Sequence, residues 1–322
     1  MVFVTQKIYN LPNDILDNIF YKNNLDNIEL AQLVMTHKNL NDFIKLKYSK
    51  LYLESMQETF INTDKFKNVY EVDIFSCLGI LRTDIFQNCK ILKLRNCHNV
   101  TDVSKLGNIK YLDLGGCFEI KDVSMLGNCE YLDLSNCHKI TDVSKLGNVS
   151  HLDLSHCDKI TNISELGNHN YLSLRGCNKI SNISVLKNVY TLDLSYCENI
   201  VDISHLSNVY DLDVSYCPYI EVIEPMYNSI IKAAETNLID QDILFLKNVS
   251  ELYIKNCYWI SDLSSLCNLT KLDIRRCKNI LHMPQSNSMK HISISFNKYN
   301  ELYDKLKPFI LKDGCNVHTD YF

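Results

Sequence analysis

The chain has 322 residues, a formal net charge of -5, and 46% hydrophobic against 22% charged residues. That balance supports a buried core and excludes wholesale disorder. The slight acidity removes any general electrostatic case for nucleic acid or acidic membranes as partners. No stretch of about 18 apolar residues offers a membrane span. The opening MVFVTQKIYNLPND breaks its apolar run with a polar pair and then Pro12, so the expectation is a chain of the cytoplasm, or of the nucleus.

The first 67 residues carry apolar residues at spacings of three and four. Ile15, Leu16, Ile19 and Phe20 form one such set; Leu30, Leu33 and Val34 a second; Leu40, Phe43 and Ile44 a third. These predict a small helical domain over 1–46 and a connecting helix or N-terminal cap over 47–67. Pro12 suits a first helical turn, and Asp14 suits its positive dipole end.

From Asn68 onward a period of 20 residues takes over. Of 14 cysteines, ten fall on one ladder: Cys77, Cys97, Cys117, Cys137, Cys157, Cys177, Cys197, Cys217, Cys257 and Cys277, with Asn237 in the vacant slot. Asn recurs without a gap from Asn68 to Asn268. Paired apolar residues recur at Leu112/Leu114, Leu132/Leu134, Leu152/Leu154 and onward, followed by columns at Ile120, Val123 and Leu126 and their equivalents. One unit such as NVSHLDLSHCDKITNISELG cannot bury these residues alone, whereas stacked units turn each column into a core ribbon. The LDL alternation predicts a short strand, and successive strands then form a parallel sheet at about 4.8 Å spacing. What remains of each unit is too short for a regular helix with two turns, so a 3₁₀ or extended return on the convex side is predicted. The solenoid covers 68–298, with the Asn column holding the turns, and the unit from Asn228 to Lys247 is degenerate, with Lys232 and Ala234 in the leucine slots. Over 299–322, Leu302, Leu306, Phe309 and Ile310 predict an amphipathic cap helix and tail.

The pattern LxxLxLxxCxxITDxxxL resembles leucine-rich repeats of the cysteine type, in short units. The fold expected is thus an α/β repeat solenoid preceded by a small all-α bundle. LPNDILDNIF resembles the start of an F-box, with Leu11, Pro12, Ile15, Leu16, Ile19 and Phe20 at matching positions; Leu33 and Val34 match its second helix more loosely. The Trp that often follows is absent, and the single Trp of the chain is Trp259. Together the two resemblances imply a substrate receptor of a cullin–RING ubiquitin ligase, the F-box docking on a Skp-type adaptor and the repeats holding a target protein. The repeat style is similar to that of giant viruses of amoebae, in which case the adaptor and cytoplasm are the host's. The alternative is a free-standing monomeric scaffold whose N-terminal helices only cap the array.

Nothing points to catalysis, a cofactor or a metal. Nucleophile-elbow, phosphate-loop and HExxH patterns are missing, no CxxC occurs, and a thiol facing an apolar core has its access closed. His98, His138 and His156 lie near strand ends on different coils. The strand face is the expected binding surface. Its outward column holds Asp113, Asp133, Asp153, Asp193 and Asp213, with Arg175 beside the gap at Ser173. That column reads in two ways: as turn-associated hydrogen bonding, or as an acidic docking strip with an aromatic edge of Tyr111, Tyr131, Tyr171, Tyr196 and Tyr216.

Overall fold

A computed structural model describes residues 50–54, 70–77, 82–222, 224–296 and 314–321. The F-box-like segment, from Leu11 to Val34, and the predicted C-terminal helix around Leu302 to Ile310 lie outside them. The chain divides into two compact bodies, Met1–Lys139 and Ile140–Phe322.

In the first body, β1 (Lys50–Glu54), β2 (Glu71–Phe75), β3 (Ile91–Lys93), β4 (Tyr111–Asp113) and β5 (Tyr131–Asp133) pair in order and in parallel. The second holds β6 (His151–Asp153), β7 (Tyr171–Ser173), β8 (Thr191–Asp193), β9 (Asp211–Asp213), β10 (Ile230–Lys232), β11 (Glu251–Tyr253), β12 (Lys271–Asp273), β13 (His291–Phe296) and β14 (Asn316–Tyr321). These too pair in sequence order, all parallel. Each body is therefore a parallel-strand solenoid, one strand per coil.

Coil geometry follows from the spacing of inward residues. After Leu112 and Leu114 come Cys117, Ile120, Val123, Leu126 and Cys129, all at most 2% exposed and three residues apart. Cys117, Ile120, Leu126 and Cys129 each donate their N–H to the carbonyl three residues back, at 3.0 to 3.2 Å. Repeated three-residue turns bring every third side chain inward, which is why the return path needs no α-helix. Short 3₁₀ helices appear at Thr83–Phe86, Ser184–Asn188 and Ser204–Leu206.

One position per coil enters the left-handed region: Ser76, Asn96, Gly116, Asn136, His156, Gly176, Tyr196, Tyr216, Glu235, Asn256 and Arg276 all have positive φ. Each of these precedes the ladder slot. Its N–H still reaches the next coil, as in Asn96 to Gly115 O (2.8 Å) and Tyr196 to Ser215 O (2.9 Å). The chain thus leaves the strand without losing a rung, and the next residue points inward. That residue is the cysteine. Its thiol donates to a carbonyl of the preceding coil: Cys117 to Leu94 O (2.9 Å), Cys177 to Leu154 O (3.2 Å), Cys197 to Leu174 O (3.1 Å). Burial pushes the Cys97, Cys217 and Cys277 thiols up to about 12.

The structure departs from the periodicity in four places. Lys50–Glu54 is a strand, not part of a connecting helix: Leu51 and Leu53 fall in register with Val72 and Ile74 and extend the ladder by one coil. At the other end Asn316–Tyr321 is no tail, since it pairs along the whole of β13. In the degenerate coil, Ile231 rather than Lys232 aligns with Leu212 and Leu252, and Ala233, fully buried, takes the second leucine slot. The cysteine slot there belongs to Thr236, 3% exposed, whose hydroxyl meets Cys257 Sγ at 3.5 Å; Asn237 is exposed. Asn228 also leaves its column. Where Asn108, Asn128 and Asn208 are exposed, Asn228 is buried in the row of Val209 and Val249, its amide donating to Leu206 O and Val209 O. Met226 and Ile243 keep the 20-residue spacing, so the segment between them is displaced by one residue. Helix α1 (Asp240–Phe245) absorbs the surplus.

His169 occupies the same inward row, 1% exposed, with Nδ1 on Val149 O and no partner for Nε2. Burial lowers its pKa, because a charged ring would be desolvated there.

The ladder gives a direct chemical expectation. A thiol reagent added to native protein modifies Cys267, which is exposed, and Cys315, which is half-exposed, and all 14 cysteines only after denaturation. Rapid native modification of Cys137, Cys157 or Cys177, followed by mass spectrometry of peptides, contradicts the arrangement.

Candidate protein-binding face

In β3 to β9 the leucine at the strand centre points inward, so its neighbours form two columns on the other face. One runs Ile91, Tyr111, Tyr131 in the first body and His151, Tyr171, Thr191, Asp211 in the second. The other holds the aspartates. The left-handed position adds a third, farther along the chain, beyond the strand exit.

The aspartates are not a free acidic strip. Each turns one carboxylate oxygen back onto the turn that follows: Asp113 accepts from Gly115 N–H (3.1 Å), Asp133 from Ser135 (2.8 Å), Asp153 from Ser155 (2.8 Å), Asp193 from Ser195 (2.8 Å) and Asp213 from Ser215 (3.0 Å). These are the bonds that the turn reading expects. Asp113 is buried and the others are half-buried. Burial and then the charge of Asp133 raise Asp113 to about 6; burial also raises Asp213. In the first body Arg95 relieves the column, with Nη2 3.1 Å from Asp73 and Nε 3.7 Å from Asp113.

Arg175 does not fill the corresponding role. It forms no ion pair among the described residues; its guanidinium lies over the Tyr196 ring, 4.2 Å from the centroid, and donates to Ser195 Oγ at 3.1 Å. The Ser173 gap is instead relayed by hydroxyls. Ser155 Oγ is 2.8 Å from Ser173 Oγ, which donates to Asp193 at 3.4 Å. A neutral hydroxyl between two carboxylates lowers their repulsion without a cation.

The five tyrosines are not one edge but three groups. Tyr111 and Tyr131 stack with centroids 4.1 Å apart at 2°. Tyr171 lies 6.3 Å from His151. Tyr196 and Tyr216 stack at 4.2 Å on the left-handed column, on the far side of the aspartates. Arg175, Tyr196 and Tyr216 thus form a continuous cation–ring–ring stack along three coils. Tyr216 has its hydroxyl pKa raised, first by the Tyr196 hydroxyl and then by Glu235. The sequence hides this grouping, because tyrosines one and three residues from a strand centre look alike until the strand exit turns.

Among the described residues no group of three or more His, Cys, Asp or Glu is placed to hold a metal ion. His98 and His138 flank the Phe118 ring, at 4.3 and 5.5 Å, and His156 sits against Gly176. No helix of the described residues is long and apolar enough to cross a membrane.

No family model and no curated protein matches this chain. Among solved structures, an internalin from Listeria monocytogenes superposes with a TM-score of 0.51 at 15% identity, over 91% of this chain and 94% of that one. The functional domain of InlJ from Listeria monocytogenes gives 0.46 at 16% over 77% and 67%, and a Leptospira interrogans leucine-rich-repeat protein 0.41 at 14% over 87% and 98%. The likeness is one of fold, and the first comparison carries it: the coils described above are those of a leucine-rich-repeat solenoid.

The raised pKa of Asp113 makes a pH prediction. Between an unfolded value of about 3.9 and the folded value of about 6, the folded chain holds a proton that the unfolded chain has released. The penalty for ionising Asp113 is therefore complete above pH 6 and gone below pH 4. Asn can still accept from Gly115, so Asp113→Asn should stabilise by about 1–3 kcal/mol at neutral pH, and the gain should vanish on acidification. Urea titrations at the two extremes measure it; a gain that grows toward low pH contradicts the assignment.

Proposed function

We propose that this chain is a non-enzymatic protein-binding scaffold that seizes its target on the Arg175–Tyr196–Tyr216 stack. The observation that carries this is where the tyrosines stand. A left-handed residue with a bulky side chain costs on the order of 1 kcal/mol relative to Gly or Asn. Other coils place Asn96, Gly116, Asn136, Gly176 and Asn256 there, or single bulkier residues such as His156, Glu235 and Arg276; Tyr196 and Tyr216 are adjacent aromatics that stack. Two adjacent tyrosines under an arginine are a poor choice for backbone stability and a good one for recognition, because Tyr and Arg dominate binding energy at protein interfaces. The half-buried aspartates alongside favour a target with basic or hydroxyl-bearing groups and act mainly on association rate.

The fuller reading makes the chain a substrate-recognition subunit of a cullin–RING ubiquitin ligase in the cytoplasm. Its support is the match of Leu11, Pro12, Ile15, Leu16, Ile19 and Phe20 to the start of an F-box, ahead of a repeat array that is free to hold a target. In the second reading the N-terminal segment only covers the array. What favours it is β1, whose edge away from β2 has no partner among the described residues and must be shielded from pairing with other chains.

Two measurements separate these claims. Tyr196→Asn with Tyr216→Asn should leave thermal stability unchanged or slightly raised while abolishing target capture; loss of stability with capture intact removes the stack as the site. Leu16→Asp with Pro12→Ala should end co-elution with a purified Skp-type adaptor while the solenoid stays folded. Wild-type protein that never co-elutes with the adaptor leaves the scaffold reading in place and refutes the ligase reading.

A further inference from the structure

One flank of the second body changes its chemistry partway along. After the first inward isoleucine of each coil the next residue is Thr161 and then Ser181, but it becomes Val201 and later Leu281, which are 43% and 53% exposed. The residue before the same isoleucine changes on the alternate coils: from Lys159 and Lys179 it becomes Tyr219 and Trp259, 62% and 67% exposed, where the following position is Glu221 and Ser261, while Asn199 and Asn279 stand before the isoleucines of the Val201 and Leu281 coils. Hydrogen bonds place these positions on adjoining coils: Glu221 N–H donates to Val201 O at 2.9 Å and Leu281 N–H to Ser261 O at 2.7 Å, and Ser261 N–H donates to the Asp240 side chain, at Oδ1, at 2.6 Å. Large apolar groups exposed on consecutive coils, where sister coils carry Thr, Ser and Lys, mark an interaction surface.

The displaced coil opens this surface into a cavity of about 540 Å³, because α1 replaces the three-residue turns that would otherwise close against the coil before it. Its walls include Val201, Tyr219, Ile239 and Phe245, with Glu221 at the side, and no Lys or Arg lines it. Asp242, 8% exposed, ties the walls together by accepting from Val222 N–H (3.0 Å) and Ile239 N–H (2.8 Å). The shape is therefore built before any partner arrives.

We propose that this cavity docks a segment of a partner protein that carries one large apolar side chain next to a Lys or Arg. The volume falls in the range of sites that enclose a small ligand, about 300–1,000 Å³. Apolar walls take the anchor, and the exposed carboxylate of Glu221, with Glu224 nearby in the chain, selects the basic neighbour. The lining of the site begins at Pro218, two residues past Tyr216 on the return path of the coil, includes neither Tyr196 nor Tyr216, and does not depend on what that stack binds.

Fluorescence anisotropy with two labelled peptides, Gly-Lys-Phe-Lys-Leu-Gly and Gly-Glu-Phe-Glu-Leu-Gly, tests this on the full chain. The basic peptide should bind saturably and the acidic one at least about tenfold more weakly. Glu221→Lys should reverse that order, Ile239→Asp should abolish binding, and Tyr196→Asn with Tyr216→Asn should change nothing. If Ile239→Asp alters the melting temperature, Tyr219→Ala takes its place. No saturable binding of the basic peptide, equal binding of both, or indifference to the cavity variants overturns the proposal.

Discussion

The left-handed residue at each strand exit and the inward slot after it govern the whole array. The rotation carries the chain off the strand while its N–H keeps bonding the next coil, as Gly176 does with Ser195 O at 2.9 Å. The following side chain then has one direction available, into the core. Cysteine fits because it is small, tolerates an apolar column, and brings a weak donor for the carbonyl above it. Every coil must present its main-chain groups to the next, so its length is constrained as a mechanical part is constrained. A residue gained or lost has to be taken up locally, and α1 shows where the fold can do so.

Columns of leucine, isoleucine and cysteine were legible because an apolar residue in a fixed slot has few substitutes. The left-handed column was not, since Ser, Asn, Gly, His, Tyr, Glu and Arg all stand in it. Backbone conformation, unlike burial, leaves a loose chemical signature. The one-residue displacement around Ile231 was masked for a related reason: Asn228 keeps the asparagine periodicity in letters while its side chain has moved from the surface into the core. Periodicity put the aspartates in one column but could not show that each carboxylate folds onto its own turn or that Asp113 is buried. At Lys50–Glu54, Leu51 and Leu53 stand two residues apart in a stretch whose wider spacing suits a helix, and pairing with β2 decides for the strand.

These details reshape the functional surface. An unshielded acidic strip would recruit by charge alone and weaken with salt. Hydroxyl relays, a raised Asp113 and backbone bonds spend most of that charge on holding turns. In the function proposed above, recognition is assigned to the Tyr196–Tyr216 stack under Arg175 and, on the return side, to the aromatic and aliphatic residues around α1. Both occur in the second body, and the second arises where register is displaced. A coil out of step can carry side chains that a regular coil has no room for.

The central claim, that the slot after the left-handed residue dictates burial, is tested most directly at the displaced coil. Thr236→Cys and Asn237→Cys are prepared separately in a Cys267→Ser, Cys315→Ser background, and the thiol reactivity of each native protein is followed against time. The account predicts that Cys at 236 is inert until denaturation and that Cys at 237 reacts at once, although 237 is the position 20 residues from both Cys217 and Cys257. A reactive thiol at 236 with a protected one at 237 would contradict it.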